Sequence, residues 1–197
     1  MIRPWEMPAT GAAAALAASL AQRVPELATA RLRLRAPRIA DFQPYAGILM
    51  SDRAAGLGGP FGRDGAWNDF CQAVAGWMLR GMGVWTIEAR AGEAHADGEV
   101  LGFGYLWQEY GDPEPEIGWV MTAAAEGRGF ALEAAVAIRA HAFGALGLAT
   151  VVSYVDHDNA RSVALAERLG AVRDPGAETA LAGSIRVYRH HSPEGRA

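Results

Sequence analysis

The chain contains a single cysteine, Cys71, among its 197 residues. One cysteine excludes a disulfide within the chain and a zinc site built on cysteines. The five histidines show no spacing typical of metal ligands, and the adjacent pair His190 and His191 is expected in a solvated tail. The sequence therefore predicts a protein without a metal site.

Positive charge is also scarce, because 18 basic residues face 22 acidic ones and the net charge is −4. Nucleic-acid binding needs a basic surface, so nucleic acid is not expected as a partner. The longest apolar run, Gly11–Ala21, is mostly alanine and is too short to span a membrane. It could be read as a signal peptide, but we favour an N-terminal helix that packs on the domain or on a second copy in a homodimer. A cytoplasmic protein is expected.

The composition describes a globular chain, with 51% hydrophobic and 20% charged residues. The length suits one α/β domain with a sizeable core. We expect a helical extension over residues 1–27, a single domain over 28–190 and a flexible tail over 191–197.

Hydrophobic periodicity and turn residues predict the order of elements. The pattern favours a mixed, mostly antiparallel α/β (α+β) sheet with a β-α-β unit and helices on both faces. Strands are expected at 29–36, 84–90, 99–109, 116–121 and 149–155, helices at 39–50, 66–81, 129–145 and 159–169, a mobile loop at 51–65, a turn at 91–98 and a hairpin at 171–190.

A glycine-containing loop at residues 126–131 follows the strand at 117–121 and opens an alanine-rich helix. The start of a helix carries unpaired backbone N–H groups and the positive end of the helix dipole, which suits a phosphate. Gly127 and Gly129 remove side chains that would block a diphosphate. On its own, the pattern also fits a tight turn without a ligand.

The next unit strengthens the phosphate interpretation. A short β-branched strand, Val151–Val155, is followed by Asn159, which suits the N-cap of a helix. Leu165 and Leu169 lie four residues apart on one face of that helix, and Gly170 suits its C-cap. The order is strand, glycine loop, helix, strand, Asn-capped helix and glycine stop.

This order resembles the GNAT superfamily of N-acetyltransferases, and within it the branch of ribosomal-protein N-terminal acetyltransferases. The opening segment Thr29–Arg35, with a helix beginning near Asp41, matches that branch as well. The resemblance covers residues 28–190. It implies transfer of an acetyl group from acetyl-coenzyme A to a primary amine by direct attack in a ternary complex.

The resemblance also implies roles for residues. The loop residues Gly127, Arg128, Gly129, Phe130 and Ala131 would hold the diphosphate of coenzyme A. Backbone groups of Trp119, Val120 and Met121 would bind the pantetheine arm, and one of their N–H groups would polarise the thioester carbonyl. Asn159 would also hold that arm, and Ser162, the fourth residue of an Asn-x-x-Ser pattern, is the candidate proton donor to the thiolate.

Glu116 is the predicted general base, because it begins the strand that would carry the thioester-facing backbone. Glu114, Asp112 and His157 are weaker alternatives. Two positions depart from the family pattern: Glu126 stands where many members have Gln or Arg, and Ala166 stands where many have a tyrosine as proton donor.

The acceptor is left open between a protein N-terminal α-amine and a small-molecule amine. Glu126 and Ala166 also leave room for a protein of this fold that binds acyl-coenzyme A without catalysis, as a sensor or interaction protein. An unrelated α/β binding domain is the third alternative.

Overall fold

The computed structural model of the chain describes residues 3–91 and 95–192. The helices are α1 (Gly11–Ala21), α2 (Phe42–Leu49), α3 (Arg63–Arg80), α4 (Phe130–Ala140), α5 (Ala160–Arg168) and α6 (Pro175–Ala180). The strands are β1 (Leu27–Ala28), β2 (Leu32–Arg35), β3 (Gly83–Ala89), β4 (Val100–Trp107), β5 (Glu116–Met121), β6 (Val151–Val155), β7 (Val172–Arg173) and β8 (Arg186–His190).

The eight strands form one sheet in the order β1-β2-β3-β4-β5-β6-β8-β7. Strands β5 and β6 are parallel neighbours, and the other neighbouring strands are antiparallel. A parallel pair needs a crossover connection, and α4 supplies it. The predicted mixed, mostly antiparallel sheet with a β-α-β unit is confirmed.

Helices cover both faces of this sheet. On one face α4 buries Phe130, Ala134 and Ile138 against a core that includes Ile87 and Ile117. On the other face α2 and α3 pack on aromatic side chains of the central strands, where Phe42, Tyr45, Phe70, Phe103 and Tyr105 form the core. Successive residues of β4 and β5 point to opposite faces of the sheet, so each strand contributes side chains to both parts of the core.

Three segments differ from the predicted elements. The predicted loop at 51–65 contains a 3-10 helix, Asp52–Leu57, whose first turn is held by the Ser51 hydroxyl accepting from the backbone N–H of Arg53. The predicted hairpin at 171–190 is interrupted by α6, because Asp174 caps a helix that Pro175 begins. The helix expected at 129–145 ends its α-helical part at Ala140 and continues as a π-helix, His141–Ala145.

The N-terminal segment contains a helix, α1, none of whose residues is buried. The first strand of the sheet, β1, contains one residue on each side of the expected domain boundary between residues 27 and 28. The expectation of a solvated histidine pair was wrong for His190, which lies on β8 with 2% of its surface exposed. Among the described residues, no helix is long and apolar enough to cross a membrane.

Candidate active site

A gap opens in the sheet between the parallel strands β5 and β6. The two strands share a single register pair, Glu116 with Val152. The backbone N–H of Val152 donates to the carbonyl of Pro115 (3.0 Å), and the Ser153 hydroxyl donates to the carbonyl of Ile117 (2.6 Å). Past Ile117 the strands diverge, which leaves the second half of β5 with an open edge on this side.

Alternation along β5 decides which backbone groups face the gap. The carbonyl of Ile117 points toward β6, so the backbone groups of Trp119 and Met121 share that direction. The backbone groups of Val120 point toward β4: a Cβ on Gly102 would lie only 2.3 Å from the Val120 carbonyl oxygen. Trp119 and Met121 therefore offer peptide groups to a ligand in the gap, and Val120 offers its side chain.

The loop that precedes α4 lies beside this gap. Gly127 and Gly129 adopt φ of +71° and +80°, a backbone region that favours glycine. In the described part of the chain, the backbone N–H groups of residues 126–129 donate to no backbone carbonyl. The first N–H groups of α4 lack helical partners by geometry. This set of free donors, with open space beside Gly127, fits a diphosphate.

The two larger side chains of this loop, Arg128 and Phe130, contact other protein groups. Phe130 is buried, so it can contribute only its backbone to a ligand. The Arg128 guanidinium lies over the Phe130 ring, 5.4 Å from its centre, and contacts His95. The carbonyl of Arg128 accepts a hydrogen bond from the Arg31 guanidinium (3.1 Å). Arg128 therefore supports the loop from its outer side.

Glu126, which precedes the first glycine, pairs with two arginines from separate elements. One carboxylate oxygen contacts Arg53, from the 3-10 helix after α2, and the other lies 2.8 Å from Arg161 in the first turn of α5. The Arg53 guanidinium also donates to the carbonyl of Met121 (3.3 Å). A carboxylate thus sits among the groups that would receive a diphosphate, and two guanidinium groups balance it.

The predicted N-cap of α5 is confirmed. The side-chain oxygen of Asn159 accepts from the backbone N–H of Ser162 (3.1 Å), and its Nδ2 remains as a hydrogen-bond donor for another partner. That nitrogen faces Gly56, where an added Cβ would lie 2.8 Å away. The 3-10 helix at 52–57 therefore contacts both the end of β5, through Arg53, and the start of α5, through Gly56.

A cavity of about 640 Å³ lies on the α2 and α3 face of the sheet, beside the gap. Its lining is strongly acidic, and among the residues that the structure describes it contains no arginine or histidine. The carboxylates in the lining are Asp69, Glu109, Asp112, Glu116 and Asp156, and the aromatic residues are Phe61, Tyr105, Trp107, Trp119 and Tyr154.

Glu116 lies in this cavity at the start of β5. One carboxylate oxygen accepts from the indole N–H of Trp107 (3.4 Å). Burial raises the pKa of Glu116 to about 8, and the negative charge of Asp112 adds to the rise. A carboxyl group with a pKa near neutrality is suited to take up and release a proton at the working pH.

Desolvation also raises the pKa of three further carboxyl groups in the cavity, those of Asp69, Glu109 and Asp112. The pKa of Asp69 is raised although Tyr45 donates a hydrogen bond to it, and the pKa of Asp112 is raised likewise. The pKa of Glu109 is raised by burial and by the charges of Asp69 and Asp112. A bound cation would relieve this mutual repulsion.

The structure brings the predicted residues together in two groups. Glu116, Trp119 and Val120 line the cavity, and Met121, Asn159 and the loop at 127–131 surround the adjoining gap. Ser162 is partly buried in the first turn of α5 and is not among the residues that line the cavity. The predicted alternative Glu114 is held by Arg189 at 2.6 Å and is also outside the lining.

Sequence reasoning missed Tyr154, Asp69 and Arg53. Tyr154 lines the cavity from β6, and its strand was predicted, but nothing in a five-residue strand tells which side chains face a ligand. Asp69 stands among the apolar residues of α3 and could have been noticed as a carboxylate facing the sheet. Arg53 lies in the segment predicted to be a loop, where sequence gives no partner.

The splayed parallel strands, the free amides at the start of α4 and the carboxylate-lined cavity define an acyltransferase that uses a coenzyme A thioester. The Acetyltransferase (GNAT) domain model matches residues 31–172. An acetyltransferase from Agrobacterium tumefaciens is 38% identical, with a TM-score of 0.78 over 86% of this chain and 95% of that chain. The chain belongs to the GNAT family and is an N-acetyltransferase with acetyl-coenzyme A as co-substrate.

Two further structures share the fold. A GNAT-family acetyltransferase from Bordetella pertussis is 25% identical, with a TM-score of 0.65 over 84% of this chain and 98% of that chain. RimL, a ribosomal L7/L12 α-N-protein acetyltransferase in complex with coenzyme A, is 15% identical, with a TM-score of 0.65 over 85% of this chain and 98% of that chain. At 15% identity the likeness to RimL shows the fold alone.

Proposed function

We propose that the protein transfers the acetyl group of acetyl-coenzyme A to a primary amine by direct attack within a ternary complex, with Glu116 as general base. The observation that carries the proposal is the position of Glu116, in an acidic cavity at the point where β5 and β6 separate. We take residues 28–190 as the catalytic domain.

Acetyl-coenzyme A supplies an acyl group activated as a thioester. The backbone N–H groups of the loop at Gly127–Ala131 are the donors suited to its diphosphate. The peptide group of Trp119, the backbone N–H of Met121 and the Nδ2 of Asn159 are suited to its pantetheine arm, which would complete the open edge of β5 as an added strand does. We assign to the N–H of Trp119 the role of polarising the thioester carbonyl, because it faces the gap.

The acceptor amine arrives as an ammonium ion and must lose a proton before it can attack. Glu116, with a pKa of about 8, is a stronger base than an ordinary carboxylate and can take this proton directly or through water. The surrounding carboxylates Asp69, Glu109 and Asp112 attract a positively charged acceptor into the cavity. An acidic lining thus serves both the binding and the deprotonation of an amine.

The thiolate that leaves needs a proton donor or a stabilising hydrogen bond. We propose Ser162 for this role on the basis of the Asn-x-x-Ser pattern. The N-cap hydrogen bond to Asn159 uses the backbone N–H of Ser162 and not its hydroxyl. Tyr154 is a second candidate, because its side chain lies on the β6 side of the cavity. Ala166 is fully buried, and its methyl side chain has no proton to donate to the thiolate.

Either a small amine or the α-amine of a protein N-terminus meets these requirements. A panel of diamines, amino acid amides, aminoglycosides and short peptides, read by mass spectrometry for a gain of one acetyl group, would separate the two classes. The chain contains no lysine, so acetylation of its own lysine side chains cannot consume the donor.

The Glu116→Gln variant tests the proposed base. We expect kcat to fall by about 10²- to 10³-fold, because the variant keeps the size and the Trp107 contact but accepts no proton. Binding of coenzyme A, measured by calorimetry, should be unchanged. In the unaltered protein, kcat/KM should rise with pH through about 8, as Glu116 loses its proton, and this limb should vanish in the variant.

Glu114→Gln is the matched control, since Glu114 lies two residues away but pairs with Arg189 outside the cavity. This variant should keep both the turnover and the pH limb. Normal turnover in Glu116→Gln, or a pH limb that persists in this variant, would show that Glu116 is not the base.

A further inference from the structure

The ion-pair group of Arg53, Glu126 and Arg161 lies at the entrance to the proposed coenzyme A site. Its members come from three separate parts of the fold: the 3-10 helix after α2, the loop before α4, and the first turn of α5. Their side chains are partly or largely exposed, at 27%, 36% and 83%. Pairs of this exposure contribute little to stability, so folding alone gives no strong reason for the group.

Arg53 also connects the other parts of the proposed coenzyme A site. Its guanidinium donates to the Met121 carbonyl at the end of β5. Three residues on, Gly56 meets the side chain of Asn159, so the same 3-10 helix approaches α5. Arg53 therefore lies where the diphosphate loop meets the gap between β5 and β6.

The chemistry of the group matches a diphosphate. A guanidinium donates two parallel hydrogen bonds to a phosphate as readily as to a carboxylate. The chain has no lysine, so arginine is the only side chain with a permanent positive charge for this task. Glu126, by contrast, is a carboxylate at the start of a loop whose free N–H groups suit an anion, and two like charges there repel.

We infer that Arg53 and Arg161 bind the diphosphate of acetyl-coenzyme A, and that Glu126 holds the two guanidinium groups only until the diphosphate displaces it. The inference rests on the proposed function. In the free protein the carboxylate keeps both arginines in place beside the loop. In the complex the diphosphate takes their hydrogen bonds, and Glu126 turns to solvent, for which its partial exposure leaves room.

Calorimetry with coenzyme A tests this exchange. Glu126→Gln removes the competing charge, so we expect the Kd for coenzyme A to fall by about 5- to 10-fold at low salt. Arg53→Gln and Arg161→Gln should each raise it by about 10-fold. Arg168→Gln is the matched control, because Arg168 is exposed at the opposite end of α5, and its Kd should equal that of the unaltered protein.

A second probe separates binding of the diphosphate from support of the fold. S-Acetylpantetheine lacks the diphosphate, so its KM should be the same, within about twofold, in the unaltered protein and in Arg53→Gln. Glu126→Gln should lower the Kd for coenzyme A by a smaller factor when it is combined with Arg53→Gln than when it is made alone, because the double variant lacks one of the arginines that the carboxylate holds.

Three results would contradict the inference or the proposed function. A Kd for coenzyme A that is unchanged or higher in Glu126→Gln would overturn the inference, since the carboxylate would then be a fixed part of the site. Equal losses with coenzyme A and with S-acetylpantetheine in Arg53→Gln would also overturn it. Absence of coenzyme A binding by the unaltered protein would instead overturn the proposed function, before any variant is compared.

Discussion

The side-chain oxygen of Asn159 accepts a hydrogen bond of 3.1 Å from the backbone N–H of Ser162. The bond closes the first turn of α5 and uses the backbone of Ser162, not its hydroxyl. The two residues of the Asn-x-x-Ser pattern therefore have separable roles. Asn159 fixes the start of the helix and presents its Nδ2, while the Ser162 hydroxyl is left for chemistry.

This separation gives a prediction for the proton donor. Ser162→Ala keeps the backbone N–H and therefore the cap, so the melting temperature should stay within about 2 °C. If Ser162 protonates the thiolate, kcat should fall by about 10- to 100-fold, with KM for acetyl-coenzyme A unchanged. Steady-state measurement of thiol release supplies both constants.

Tyr154→Phe is the matching variant for the second candidate, whose side chain lines the cavity from β6. It removes one hydroxyl that contacts the backbone N–H of Glu114 at 3.3 Å. Burial raises the pKa of Tyr154 to about 12, so the hydroxyl keeps its proton at neutral pH. A loss of kcat in Tyr154→Phe with normal kcat in Ser162→Ala would transfer the role of proton donor to Tyr154.

The diphosphate loop gives a second prediction. Gly129 has φ of +80°, and an added Cβ would lie 3.5 Å from the Arg31 guanidinium. Gly129→Asp should therefore cost about 1–2 kcal/mol of stability for the backbone conformation. The added negative charge beside the free amides should also raise the Kd for coenzyme A by more than about 10-fold.

Gly147→Asp is the control for the backbone cost. Gly147 also has a positive φ, +62°, and an added Cβ there would meet nothing within 4 Å. It lies after the π-helix that follows α4, at the opposite end from the loop. The two variants should lose similar stability in urea unfolding, but only Gly129→Asp should lose coenzyme A binding in calorimetry.

Local patterns in the sequence were enough for the fold and for part of the site. The order of strands around the glycine loop, the Asn cap and the start of β5 at Glu116 follow from periodicity and cap chemistry within a few residues. The family match over residues 31–172 and the observed sheet order confirm the fold, and the observed bounds of β5 and the Asn159 cap confirm those two local features.

What the sequence could not show depends on contacts between distant segments. Arg53 meets Glu126 across 73 positions only because the 3-10 helix at 52–57 and the loop before α4 lie side by side in the fold. The burial of His190 needs its register against Val151 on β6, since a one-residue shift would turn it to the other face. No local pattern contains either relationship.

A third prediction concerns the arginines of β2. Arg35 is 6% exposed and donates to Glu88 (2.5 Å) and to both oxygens of Asp41 (2.7 and 2.9 Å), while Thr86 also donates to Asp41 (2.8 Å). Arg35→Met would leave two buried carboxylates without their cation. The free energy of unfolding should fall by about 3–5 kcal/mol.

Arg33 is the control on the same strand. It pairs with Glu26 at 2.7 Å, but both side chains are about half exposed, at 46% and 48%. Because solvent screens such a pair, Arg33→Met should change the free energy of unfolding by less than about 1 kcal/mol. Similar losses in the two variants would contradict a special role for the buried group in joining β2, β3 and the start of α2.

The last prediction concerns pH and the buried His190. Its Nε2 lies 2.9 Å from the Ser153 hydroxyl, whose proton goes to the Ile117 carbonyl, so Nε2 carries the proton and donates. Burial lowers the pKa of His190 to about 4, and the charges of Arg139 and His191 add to the effect. The folded protein therefore keeps His190 neutral at pH values where the unfolded chain, with a pKa near 6.5, is already protonated.

Between about pH 6.5 and 4 the unfolded state binds more protons, so the stability that is present above pH 6.5 is lost as the pH falls through this range. The loss from this residue is at most about 3 kcal/mol. In urea unfolding at pH 7 and pH 4.5, His190→Gln should lose correspondingly less stability than the unaltered protein. His191→Gln, which changes the exposed neighbour, should keep most of the original pH dependence; an equal decrease in all three proteins would show that His190 does not set it.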